Sequence, residues 1–222
     1  PALVRADIRL SPTPMCNLLR DWGIAPAGTS AMVRGRLQLA GRGENLREAI
    51  GNADGRMALI IPAGALRVAQ ASASSLDMAV LGDAIFRDGA PVQPSGINCG
   101  LVAFTVRNGL ASADPILIDT AGNVLTATGE LDLRDERLDL RLQAEGKGFG
   151  FFARPIPVRI GGTLAAPMLA REPVRWFRPG GWFGLPVPDL GAILGFVDPD
   201  EAAAPACGPV LRGAPAVAQR AR

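Results

Sequence analysis

Along most of the chain, apolar residues recur at every second position, the period of a strand buried on one face. Residues 3–10 (Leu3-Val4-Arg5-Ala6-Asp7-Ile8-Arg9-Leu10) alternate apolar and charged side chains. Across 31–42, Val33, Gly35, Leu37, Leu39 and Gly41 fall on one side, with Arg34, Arg36 and Gln38 on the other. Short helices interrupt this first half. Ser11, Pro12 and Thr13 open one that runs to about Trp22, and Glu44 to Ala53 carries Leu46, Ala49 and Ile50 at helical spacing. Residues 72–86 read as a further helix. Arg56–Ile61 and Ala65–Ala69 are expected to form a hairpin around Pro62-Ala63-Gly64.

The second half is more regular. Ile97–Arg107 and Leu110–Thr120 flank Asn108-Gly109, a strong two-residue hairpin signal. Asn123–Leu133 follows Gly122, and Arg137–Glu145 follows the turn Arg134-Asp135-Glu136. In the latter strand Leu138, Leu140 and Leu142 point one way, and Asp139, Arg141 and Gln143 the other. Pro157–Ala166 is predicted to be the last strand, with Val158, Ile160 and Leu164 on one face. Consecutive strands with tight turns imply an antiparallel meander. The expected fold is therefore mainly β with a few short helices, mostly in the N-terminal half. It is a curved antiparallel sheet with an apolar concave face over residues 1–170. Residues 171–222 break the pattern. They form a Pro/Gly/aromatic tail (Trp176, Phe177, Trp182, Phe183, Phe196) with one short helix over Asp189–Phe196, and are loosely ordered after about 198. The aromatic stretch suits either a membrane interface or a cover for the sheet end, and the cover is favoured because an open sheet needs its edge closed.

Composition narrows the chemistry. The chain has 222 residues, 48% hydrophobic but only 5% aromatic, so its apolar surface is largely Leu, Ile, Val and Ala. It contains no His and no Tyr. A Ser-His-Asp triad, a Cys-His pair and a His metal ligand are thereby excluded. Lys+Arg 23 against Asp+Glu 21 leaves a net charge of +2, with signs interleaved and no basic block, which argues against nucleic acid as a partner. The chain begins at Pro1 with neither a signal-peptide pattern nor a membrane-spanning run. It is expected to be a piece of a longer protein, with any anchor upstream.

Two motifs suggest chemistry and are better explained without it. Gly41-Arg42-Gly43 lies between a strand and a helix, like half of a dinucleotide fingerprint. Leu46 occupies the position of the third glycine, and Glu44 would repel a phosphate at the helix N-terminus. Asp132, Asp135, Glu136 and Asp139 resemble a carboxylate or metal site, but Arg134, Arg137 and Arg141 are interleaved with them, as in a charge-balanced hairpin. The spacing of Cys16, Cys99 and Cys207 matches no zinc pattern. In an oxidising compartment one pair could bridge, and in a reducing one all three are small apolar residues.

Several ordered segments together resemble the C-terminal region of AsmA-like proteins. They are Val33-Arg34-Gly35-Arg36-Leu37-Gln38-Leu39-Ala40-Gly41-Arg42-Gly43, then Leu46-Arg47-Glu48-Ala49 and Asp54-Gly55. Ile97-Asn98-Cys99 through Phe104 to Asn108-Gly109 follows, then Ile118-Asp119-Thr120 and Gly129-Glu130-Leu131-Asp132-Leu133. Pro157-Val158-Arg159-Ile160-Gly161-Gly162-Thr163-Leu164 before Pro167, and Cys207 near the end, complete the order over about residues 1–210. The resemblance implies a Gram-negative envelope protein, periplasmic, and anchored to the inner membrane by an N-terminal segment. It implies phospholipid or another acyl-chain lipid as cargo, contact with the inner or outer membrane or an envelope protein, and a role in outer-membrane assembly. It brings no catalytic residue and no cofactor, so the chain is expected not to be an enzyme. The family's Cys near the end favours a Cys99–Cys207 bridge. The apolar positions expected to line a lipid-binding face are Leu37, Leu39, Val102, Phe104, Val106, Ile116, Ile118, Leu131, Leu138, Leu140, Leu142, Val158, Ile160 and Leu164. A scaffold acting through protein contacts, without lipid cargo, is the alternative.

Overall fold

The computed structural model describes residues 2–19, 30–66, 95–120, 123–146, 158–171 and 190–198. Among these residues, ten strands form one antiparallel sheet. They are β1 (Ala2–Pro14), β2 (Met32–Gly43), β3 (Asp54–Ile61), β4 (Gly64–Leu66), β5 (Ser95–Arg107), β6 (Leu110–Thr120), β7 (Asn123–Asp132), β8 (Arg137–Gly146), β9 (Val158–Gly162) and β10 (Pro167–Arg171). Spatial order follows chain order, β1-β2-β3-β5-β6-β7-β8-β9-β10, with β4 alongside β5. The alternation of apolar and polar residues thus yields the antiparallel meander that it predicts. The described helices are short: α1 (Met15–Leu19), α2 (Leu46–Gly51) and α3 (Leu190–Val197).

Three boundaries differ from the sequence expectation, each for a local reason. β1 continues through Ser11-Pro12-Thr13 to Pro14, so the expected helix starts only at Met15, as α1. A register shift between Leu10 and Thr13 takes up the proline, and Thr13 and Pro14 again face Val33 and Met32. Pro62-Ala63-Gly64 is not a hairpin turn. Ile61 faces Gly100 and Gly64 faces Ile97, so β3 and β4 run along the same edge of β5 in one register. Pro62 has no N–H to give and marks a gap in that line rather than a reversal. Lastly, Pro167 does not end the sheet. It opens β10, pairing with Gly162 across the turn at Thr163–Ala166. A proline is tolerated at the first position of an edge strand.

The Asn108-Gly109 turn forms as expected, with φ of 47° and 77° at its two central residues. Those paired left-handed conformations are what a two-residue type I′ hairpin requires. α2 carries its own start signal. The Asn45 side chain accepts from the Glu48 backbone N–H at 2.9 Å, and a Glu48 carboxylate oxygen accepts from the Glu44 N–H at 2.8 Å. Gly41 and Gly43 serve this packing rather than a phosphate. A Cβ on Gly43 would come within 2.5 Å of the Ala49 nitrogen, and one on Gly41 would overlap the Ala49 carbonyl oxygen. The helix lies on the strand because both positions lack a side chain.

α3 packs on the opposite face from α2. Ile193, Leu194 and Val197 are buried against Ala58, Ile60, Leu101 and Ala103 of β3 and β5. The small alanines leave room for the helix. Its C-terminal end is held by Arg34, whose Nη1 lies 3.1 Å from Asp198 Oδ2, and by Arg36, which donates to the Phe196 carbonyl oxygen at 3.1 Å. The Arg36 guanidinium also sits 5.2 Å from the centre of the Phe196 ring. The expected helix over 72–86 lies outside the described residues, as does most of the 171–222 tail.

A continuous apolar face as the candidate functional site

Residues directly opposite each other on neighbouring strands share a face, so the register defines rows across the sheet. One row runs Leu10–Gly35–Leu59–Val102–Ile116–Ala127–Leu142–Val158 through eight strands without a polar side chain. A second runs Ile8–Leu37–Met57–Phe104–Ala113, and a third Ala6–Leu39–Gly55–Val106–Ala111–Leu131–Leu138. All the lining candidates except Leu37 belong to one cluster or pack directly against it. Leu37 lies half-buried in the second row.

Burial along this face is graded. Val106, Leu125 and Val158 are almost completely covered. At the β1–β3 side the same face opens at Ile8, 58% exposed, and Leu59, 37%, while Val33 and Ile61 nearer the other end of the strands stay buried with Met15 and Ile97. Gly35 allows this shape, because a Cβ there would meet Leu59 Cδ2 at 2.5 Å and Leu10 Cβ at 3.5 Å. Ile8, Met57 and Leu59 escaped the sequence-based lining set. Ile8 is legible in the alternation of residues 3–10. Met57 and Leu59 are hidden in the unbroken apolar run Met57–Ile61, since Ala58 and Ile60 on the other face are apolar too, under α3.

A rim borders the face at one end of the strands. Gly109 N–H donates to the Ala53 carbonyl oxygen at 2.8 Å, Leu133 N–H to Gly109 at 2.8 Å, and Leu164 N–H to Glu136 at 2.9 Å. Arg134 reaches back to the Asn108 carbonyl oxygen at 2.7 Å, while Arg47 donates to the Arg134 carbonyl oxygen at 3.4 Å.

The polar face is organised by ion pairs. Arg36 clamps Asp7 with two bonds, 3.0 and 2.8 Å, and Gln38 adds a third at 2.8 Å. These bonds, with Arg36 first, hold the Asp7 carboxyl well below the usual carboxylate range. Arg159 grips Asp139 with two 2.8 Å bonds and likewise lowers its pKa. Asp132 accepts the Arg134 N–H at 2.8 Å within its turn. The acidic group considered as a carboxylate site is therefore split between a turn and a cross-strand ion pair. Among the described residues no group of three or more potential metal ligands occurs, and no helix is long and apolar enough to cross a membrane. Cys16 is a free thiol and Cys99 is disulfide-bonded. Cys207 lies outside the described residues.

No family model matches the sequence, and no solved structure does. Among curated proteins, the AsmA family protein YhjG of Escherichia coli (strain K12) is 25% identical over 217 residues, covering 93% of this chain. The chain spans 30% of that relative's length. Together with the ordered segments in the sequence, this match supports assigning the chain to the AsmA-like family.

Proposed function

We propose that this chain is an envelope-located sheet of an AsmA-like protein, whose apolar face shields the acyl chains of phospholipid passing between inner and outer membrane and so supports outer-membrane assembly. The observation that carries the reading is the apolar row across eight strands, open at Leu59. At ~4.8 Å per strand step such a row has a contour of roughly 34 Å, longer than half of the ~30 Å hydrocarbon core of a bilayer. Exposing a methylene to water costs roughly 0.8 kcal/mol, so a sixteen-carbon chain moved bare costs on the order of 12 kcal/mol. A continuous aliphatic surface lowers that barrier without reaction chemistry, and the function proposed is not enzymatic. The bonded Cys99 suits an oxidising compartment such as the periplasm.

The test is native mass spectrometry with lipid extraction on the chain purified from a Gram-negative host. Co-purified phospholipid is expected, and it should be lost in Ile8→Asp/Leu59→Asp, whose exposed positions leave the fold intact by circular dichroism. A folded, lipid-free wild type would favour the second reading, a scaffold that pairs with a protein partner. That reading has its own support in β1, a 13-residue strand at the edge of the sheet formed by the described residues, with exposed Leu3 and Ile8.

A further inference from the structure

We infer that the rim formed by α2 and the hairpin turns is a closed wall, so that an acyl chain reaches the apolar face from the β1 side and lies across the strands, barred from leaving along them past Gly109 and Arg134. This rests on the lipid reading above. Three connections meet there in direct contact. A Cβ on Gly51 would lie 2.8 Å from Arg134 Cγ and 3.6 Å from Arg134 Cα. One on Gly109 would overlap the Gly51 carbonyl oxygen. The connection between β2 and β3 therefore touches both the β5–β6 turn and the β7–β8 turn. Backbone bonds at Gly109, Leu133 and Leu164 continue the line to the β9–β10 turn. Leu133 and Leu164 line its inner side and pack against the apolar cluster, whereas Asp135 and Glu136 are exposed on its outer side. Among the described residues the β1 side has no such barrier, since Ile8 and Leu59 are exposed.

The wall predicts an order of contact that nitroxide-labelled stearic acid reads directly. Two probes stand in for an acyl chain, labelled at carbon 5 near the carboxylate or at carbon 16 near the tail. Each is added to the isotope-labelled chain, and amide broadening is mapped by NMR. The carbon-5 label is expected to broaden Ile8 and Leu37 most. The carbon-16 label should broaden Val102 and Ile116, at least fivefold more than Asp135 and Glu136. Strong tail-label broadening at Asp135 and Glu136, or the reverse order of the two labels, would overturn the wall while leaving lipid binding intact. Absence of broadening from either probe would remove the lipid reading, and the wall's role with it.

Discussion

At the scale of single residues, the sheet is shaped by glycines where connections touch and by arginine clamps on the polar face. Gly109 combines φ of 77° with contact against Gly51. Gly109→Val is expected to cost about 2–3 kcal/mol, from a strained backbone and a clash that backbone cannot relieve. Its urea midpoint should fall accordingly, with an unchanged m-value. Asp7 makes the opposite kind of prediction, one that depends on pH. Its pKa is depressed in the folded state, chiefly by the bonds from Arg36, so its stabilising effect is present above the unfolded carboxylate pKa and is lost as pH falls through the folded one. Asp7→Asn should therefore lower the melting temperature at pH 7, and the gap to wild type should close only below the usual carboxylate range. Asp139, paired with Arg159 at the surface, should behave the same way, with a small effect of ~0.5 kcal/mol in solvent.

At the scale of elements, α3 tests how the sheet's second face is closed. The helix is apolar all round, and among its described side chains Ile193, Leu194 and Val197 are the buried ones, on a bed made shallow by Ala58 and Ala103. Ile193→Asp should detach it at a cost of ~3 kcal/mol, roughly that of removing a buried Ile side chain. Hydrogen exchange would then rise over Ala58–Ile60 while β7 and β8 keep their protection. The same elements show what was legible in the sequence. Alternation gave the strands and their sides wherever one face is charged, as in β2 and β8, and Asn108-Gly109 gave its turn. The signal failed where both faces are apolar, as in β3, because period-two patterning vanishes under a helix. It failed again at prolines, which read alike as a strand end at Pro167, a turn at Pro62 and a helix start at Pro12. Only pairing partners distant in sequence tell these apart. The rim was invisible for a related reason: α2 and the hairpin turns it touches are far apart along the chain.

At the scale of the whole molecule, the register joins strands from both halves of the chain into one apolar face, largely buried at β5–β9 and open at Ile8 and Leu59 of β1 and β3. Its covalent frame is checkable: non-reducing peptide mapping is expected to link Cys99 to Cys207 and to leave Cys16 alkylatable, and a free Cys99 would contradict an oxidising location. The central claim is that the open face meets acyl chains. It is tested most directly by placing a photo-crosslinking p-benzoylphenylalanine at Leu59, on that face, or at Arg9, on the other, and irradiating living Gram-negative cells. Leu59 is predicted to capture an adduct of phospholipid mass, with Arg9 giving little. Capture of protein alone at Leu59, or equal lipid capture at both positions, would contradict a face built to shield lipid.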